Sequence, residues 1–261
     1  MAYVGTNTDN VVAPLNIGQS AIYYDSAGDY YGDVPPNTDN DKWTLSFMYK
    51  TDDASSTNLV AYAERVTIAP KEDSIIFGSN ASGNIYFIYR EGTVAKANIS
   101  ATSVTLLNDT WYHVLVYIDT SQASASDGFN VYITKLGDAA NNTKSAISTT
   151  TWSTGTIQFG TDEGVQGFNH VVWNSSVGSY ISEYWDDRGG SGSSLDFNTE
   201  SNRRQFIDSS GVLVELSLSG ETSSGVTPFI YAKDGDLSNN TGSGGNATEV
   251  GSPTEATGPY G

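Results

Sequence analysis

The chain contains no cysteine, so no disulfide staples it and no thiolate holds a metal. Histidine is almost as scarce: His113 and His170 are the only two in 261 residues. Without a Gly-x-Ser-x-Gly elbow they do not build a serine–histidine–acid triad, and they leave zinc short of ligands. Charge is sparse at 16%, and basic charge sparser still, with 12 Lys and Arg against 30 Asp and Glu and a formal net charge of −18. Such a field repels phosphate backbones, which excludes nucleic acid as a partner. It also disfavours an anionic membrane surface. No apolar run approaches the length that spans a bilayer. The opening MAYVGTNTDN has neither a basic nor an apolar leader, and the first lysine is Lys42. The expectation is a protein made in a cytoplasm and released without a secretory signal. Also missing is the Glu-x-Asp-x-(x)-Glu strand that sets two carboxylates on one sheet face for retaining glycoside hydrolysis. Glu183, Asp186 and Asp187 come nearest, on a segment that reads as helix. No enzymatic activity is therefore expected.

What is present points to a β protein with a real core. Gly numbers 27, Tyr 16, and aromatics reach 11%; with abundant Ser, Thr and Asn this favours short strands and many turns. Trp43, Leu45, Phe47 and Tyr49 alternate onto one face. In the run from Trp111 to Asp119, Val114, Val116 and Ile118 share one parity, while His113 and Tyr117 share the other. A polar turn follows, then Phe129 to Ile133, so the two runs read as a hairpin. Further strands are expected at 21–24, 29–32, 59–63, 74–78, 85–89, 94–99, 103–107, 157–160 and 170–173. Helix is expected only at Ser179–Asp187, where Tyr180, Tyr184 and Asp187 fall near one helical face before a Gly-rich stop. Trp43, Phe47, Val114, Val116 and Val131 are the predicted core.

The stretch WYHVLVYIDTSQASASDG at 111–128 resembles the central hairpin of laminin-G-like, concanavalin A-like domains, in the variant found in tailed-bacteriophage virion proteins. GDYYGDVPPNTDNDKWTLSFMYK resembles the opening of such domains. RRQFIDSSGVLVELSLSGETSSGVTPFIYAKDG and GSGGNATEVGSPTEATGPYG resemble their C-terminal part, in which a Gly-Gly pair precedes a final edge strand. The likeness runs over roughly residues 20 to 255. It implies an all-β fold, an antiparallel sandwich of the jelly-roll type with little helix: an arm at 1–20, the jelly roll at 21–235 and a Gly/Ser/Thr-rich extension at 236–261. It further implies a structural protein on the virion surface, as capsid decoration or head fibre, adhering to host-surface polysaccharide. The alternatives are a tail-fibre or baseplate receptor-binding module and, from another class, a secreted lectin or glycan-degrading enzyme. Other virion proteins and further copies of the chain are the implied partners. The low-complexity ends, 1–17 and 242–261, are expected to be ordered by contact with a capsid or a sister subunit.

Two sets of side chains are candidates for binding. Aromatic faces stack on pyranose rings, which marks Tyr30, Tyr31, Tyr117, Tyr132 and Trp152, with His113 beside Tyr117 on the outer face of its strand. Oxygen ligands at alternate positions, Asn37, Asp39 and Asp41 and again Asp234, Asp236 and Ser238, have the spacing of calcium loops without the closing Glu of an EF-hand.

Overall fold

The computed structural model describes residues 17–24, 30–33, 41–55, 58–65, 73–91, 94–155, 169–173, 178–188 and 195–261. Its strands are β1 (Ser20–Tyr24), β2 (Tyr30–Asp33), β3 (Lys42–Thr51), β4 (Asn58–Arg65), β5 (Asp73–Ser79), β6 (Ile85–Glu91), β7 (Val94–Ala101) and β8 (Tyr112–Asp119). They continue as β9 (Phe129–Lys135), β10 (Ile147–Trp152), β11 (Asn169–Trp173), β12 (Ser179–Arg188), β13 (Ile230–Ala232), β14 (Thr248–Val250) and β15 (Thr254–Thr257). Two short helices, α1 (Ala125–Gly128) and α2 (Glu200–Arg203), lie in loops.

The strands form two antiparallel sheets. The first runs β15-β1-β12-β3-β8-β9, with β13 also on β12, and the second runs β10-β7-β6-β5-β4-β11-β2-β14. Alternation decides which side chains fill the space between them. Trp43, Leu45, Phe47 and Tyr49 from β3 and Val114, Val116 and Ile118 from β8 enter one cluster with Phe77, Phe87, Tyr89 and Ile99 from the other sheet. Phe47 meets Phe77 edge-on at 5.8 Å, and Phe87 stacks on Phe129 at 5.8 Å. The predicted core residues Trp43, Phe47, Val114, Val116 and Val131 are all fully buried. The protein is thus an all-β antiparallel sandwich of two sheets with little helix.

Three expectations about local structure change. Ser179–Asp187 is not helix but most of β12, paired along β3. A bulge misleads the periodicity: Ser182 faces Met48 and Trp185 faces Ser46, so Glu183 and Tyr184 together oppose Phe47. Beyond it the alternation changes phase, and the spacing imitates a helix. Glu183 takes the strain of the bulge at φ 51°. Residues 103–107 form no strand; instead Leu106 donates its N–H to the Gly83 carbonyl and Leu107 to the Tyr112 hydroxyl. The polar turn after β8 holds α1, capped by Ser124, whose hydroxyl accepts from Asp127 N–H. The turn can close only because a Cβ on Gly128 would lie 2.3 Å from the Trp152 ring and 2.4 Å from the Asp119 carbonyl oxygen. The expected strand at 157–160 lies outside the described residues.

Residues 236–261, read from sequence as an extension, run through both sheets. β14 pairs with β2 and β15 with β1. Tyr260 N–H donates to the Gly18 carbonyl at 2.8 Å, and Gly258 N–H to the Gln19 carbonyl at 3.0 Å. The segment 242–261 is therefore ordered by its own domain, and its order does not argue for a sister subunit. Residues 1–16 lie outside the described residues; Ile17 is buried with Met48 and Leu213.

Candidate functional site

The outer face of the first sheet is built in transverse rows, because paired residues on neighbouring strands point the same way. In one row Tyr23 of β1 pairs with Tyr180 of β12, and Tyr180 with Lys50 of β3. Trp111 lies just before β8 and continues this row. The Tyr23 and Tyr180 rings stand 4.6 Å apart, and Trp111 meets Tyr180 edge-on at 6.1 Å. The Lys50 ammonium rests 3.6 Å from the Tyr180 ring centre and 5.5 Å from that of Trp111. All four side chains are half-buried. The Tyr23 hydroxyl donates to Asp52 Oδ2 at 3.2 Å. Burial, followed by the nearby Asp52 carboxylate, pushes the Tyr180 phenol up to about 12, so it stays a neutral donor at every ordinary pH.

The next row runs Ser182, Met48, His113 and Thr134. His113 is 3% exposed, and its Nε2 is 3.0 Å from the Ser46 hydroxyl. Burial holds its pKa down to about 3, so it is neutral. The rows beyond carry Trp185, Leu115 and Tyr132, then Asp187, Thr44, Tyr117 and Asn130. Here the face is roofed by the chain from 195 to 231: Leu195, Phe197, Phe206, Ile207 and Tyr231 pack on Leu115, Tyr117, Tyr132 and Trp185. Arg203 lays its guanidinium 4.2 Å from the Tyr132 ring centre.

This layer corrects the predicted sugar platforms. His113 and Tyr117 do lie on the outer face, as their parity required. That face is covered, however, and Tyr117 and Tyr132 are each only 5% exposed. Trp152 is half-buried against the core and donates its indole N–H to the Gln122 carbonyl at 2.9 Å, at the hairpin end of the domain. Tyr30 and Tyr31 belong to β2 in the other sheet, with backbones between β11 and β14; their side chains lie outside the described residues. The predicted set is therefore not brought together. The row that is brought together, Tyr23, Tyr180, Lys50 and Trp111, was missed, although the parity of β8 placed Trp111 on the same face as His113.

Of the calcium candidates, Asp234 and Asp236 are engaged in local structure. Asp234 Oδ1 accepts the Asp236 N–H at 3.0 Å. Asp236 caps a 3-10 turn, accepting from Ser238 N–H at 2.9 Å, Ser238 Oγ at 2.6 Å and Asn239 Nδ2 at 2.9 Å. The Asp41 carbonyl accepts from Thr120 N–H at 2.7 Å, while Asn37 and Asp39 lie outside the described residues. Among the described residues no three acidic or histidine side chains gather as a metal site.

The carboxylates of β12 are similarly engaged. Asp186 sits inside the sandwich, accepting from Trp43 Nε1 at 2.7 Å and from the Tyr184 hydroxyl at 3.2 Å. Glu183 belongs with the outer layer, accepting from Gly18 N–H at 2.7 Å and from the Tyr231 hydroxyl at 3.1 Å. Burial pushes Glu183 up to about 7 against those stabilising bonds.

No protein-family model matches the chain, and no curated protein sequence does. Among solved structures it is similar to the heptameric SAP-like pentraxin of Limulus polyphemus, at 10% identity over 66% of this chain and 77% of that one, with a TM-score of 0.43. It is similar to domains LG4-5 of the mouse laminin alpha1 chain at 12% identity, covering 66% of this chain and 42% of that one, TM-score 0.43. A third is the CBM40 of the Ruminococcus gnavus IT-sialidase bound to alpha2,3 sialyllactose, at 10% identity, 61% and 89% coverage and a TM-score of 0.36. None of them assigns a residue of this chain.

Proposed function

We propose that this domain is a non-catalytic glycan-binding module carried on the surface of a tailed-bacteriophage particle, as a capsid decoration or head fibre, and that it meets host-surface polysaccharide on the row Tyr23, Tyr180, Lys50 and Trp111. The observation that supports the binding reading is that three half-buried aromatic rings lie along one row, with Trp111 also packed against Ile17, Met48 and Leu213, while Tyr117, Tyr132 and Trp185 on the same face are buried under the chain from 195 to 231. Flat rings stack on the apolar faces of pyranoses, and the tyrosine hydroxyls and Lys50 supply polar contacts at their edges. Lys50 is on a flexible stem, and moving it off Tyr180 costs about 1 kcal/mol at so open a position. The non-catalytic reading is supported by the β12 carboxylates, which are committed to packing on different sides of the sheet. The virion reading is supported by the resemblance over 109–128 and 203–235.

Affinity electrophoresis through gels containing host capsular polysaccharide tests the site. Tyr180→Ala and Trp111→Ala each weaken retardation by roughly tenfold or more, equivalent to about 1.4 kcal/mol. Unchanged retardation in both removes the row from the account. Reducing ends do not accumulate in the same incubation; turnover abolished by one carboxylate substitution contradicts the non-catalytic reading. Copy number per particle, by quantitative mass spectrometry, separates capsid decoration at hundreds of copies from the tail position at a few dozen or fewer.

A further inference from the structure

The aromatic row already holds a cation, the chain's own. Tyr180 and Trp111 meet at 64° with their centres 6.1 Å apart, so the two rings form a corner. The Lys50 ammonium sits in it, 3.6 Å from the Tyr180 centre and 5.5 Å from that of Trp111. Both distances fall within the roughly 6 Å over which an aromatic face attracts a cation. Lys50, Tyr180 and Trp111 are each half-buried, so the corner meets solvent.

The walls of the corner are braced without Lys50. Asp52 accepts from the Tyr23 hydroxyl at 3.2 Å and also hydrogen-bonds the Tyr180 phenol. Gly178 leaves room for this: a Cβ there would lie 2.1 Å from Asp52 Oδ2 and 2.5 Å from the Tyr23 hydroxyl oxygen. Trp111 packs against Ile17, Met48 and Leu213. The charge beside the corner is negative once Lys50 is set aside. Burial first, then Asp52 and, with less weight, Asp109 hold the Tyr180 phenol protonated. Asp109 is exposed, with its N–H donating to the Thr51 carbonyl at 2.8 Å. The next charged side chains, Asp53 and Lys135, are turned elsewhere. Asp53 accepts from Ser55 N–H at 2.9 Å, and Lys135 pairs with Tyr112, whose ring enters the core. Among the described residues, Lys50 is thus the cation of the corner and Asp52 and Asp109 are its carboxylates.

We propose that this corner is the seat of a ligand ammonium group, that Lys50 fills it until the ligand arrives, and that the polysaccharide taken by the row carries free amino groups on its sugars. The inference rests on the row being the glycan site. A lone cation–π contact at a half-open position is weak, and a lysine gives up rotamer freedom to make it. An amino sugar in the same corner makes that contact, faces the same two carboxylates and lays its ring on an aromatic face as well. A uronic acid brings the wrong charge to both carboxylates.

Titration calorimetry on the full chain, at mildly acidic pH and constant ionic strength, tests this with tetraglucosamine, tetra-N-acetylglucosamine and tetragalacturonate. Tetraglucosamine should bind roughly tenfold or more tightly than its N-acetylated counterpart, and tetragalacturonate should not bind. Lys50→Met, which keeps the stem and removes the competing ammonium, should tighten tetraglucosamine binding about threefold or more. Trp111→Ala should weaken it roughly tenfold or more. That variant leaves the net charge of −18 as it is, so binding that survives it is diffuse attraction and overturns the proposal. Unchanged or weaker binding by Lys50→Met overturns it too. If the N-acetylated or the uronate probe binds as tightly as tetraglucosamine and depends on Trp111, the ammonium seat falls while the row stands as a glycan site. If no probe depends on Trp111 and polysaccharide retardation does not either, both fall.

Discussion

The two halves of the first sheet's outer face both set aromatic rings on β12 and at or beside β8, yet the rings are packed differently. Over Leu115, Tyr117, Tyr132 and Trp185 the chain from 195 to 231 forms a third layer, and the rings there serve as core. Around Tyr23, Tyr180 and Trp111 the rings stay half-buried, Lys50 lies on the Tyr180 ring, and Trp111 packs against the small cluster of Ile17, Met48 and Leu213. An aromatic on a sheet face is thus buried or left half-exposed according to what lies above it, and its own strand does not say which.

The largest effect that separates the halves is in stability. Trp185 is fully buried, meets Phe206 edge-on at 5.0 Å and donates its indole N–H to the Gly220 carbonyl at 2.9 Å. Trp185→Ala costs about 3–5 kcal/mol in denaturant unfolding, whereas Trp111→Ala costs about 1 kcal/mol or less, as a half-buried surface position does. Equal losses would mean that the open half is also core.

A smaller effect sharpens the boundary between the halves, where His113 and Glu183 are buried. Glu183 ionises at about 7 in the folded chain against 4.5 unfolded. Its contribution is complete below pH 4.5 and is lost as pH rises through 7. His113 ionises at about 3 folded against 6.5 unfolded, so its contribution is complete above pH 6.5 and is lost as pH falls toward 3. Between pH 4.5 and 6.5 the two slopes, each about 1.4 kcal/mol per pH unit, oppose and cancel. Glu183→Gln should therefore show stability rising with pH across that window, and His113→Asn stability falling. Parallel profiles for the parent and both variants would show that neither group is held as described.

The sandwich was largely legible in sequence because its core strands alternate without interruption. Trp43 to Tyr49 and Val114 to Ile118 name their own faces, and burial follows. Legibility failed where alternation broke or never stood out. The bulge at Glu183 turned β12 into an apparent helix, and with it hid that Tyr180 shares a face with Tyr23. β10 reads Ile-Ser-Thr-Thr-Thr-Trp, half exposed and too polar to signal a strand. The predicted aromatic set was scattered for a different reason. Parity showed correctly that His113 and Tyr117 point outward, but no local pattern announces that residues from Leu195 onward fold back over Tyr117. The neglected clue was Trp111, of the same parity and left half-buried just before the strand, where Ile17 and Leu213 pack beside it.

The smallest perturbation gives the sharpest contrast. Tyr132→Phe removes one hydroxyl from the roofed half and leaves its packing under Arg203 intact, so unfolding should shift by no more than about 1 kcal/mol. The deciding measurement is affinity electrophoresis of the parent, Trp111→Ala and Tyr132→Phe side by side in host capsular polysaccharide. Glycan recognition on the open row predicts that Trp111→Ala loses roughly tenfold or more in retardation while Tyr132→Phe runs with the parent. Loss with Tyr132→Phe and none with Trp111→Ala would contradict it.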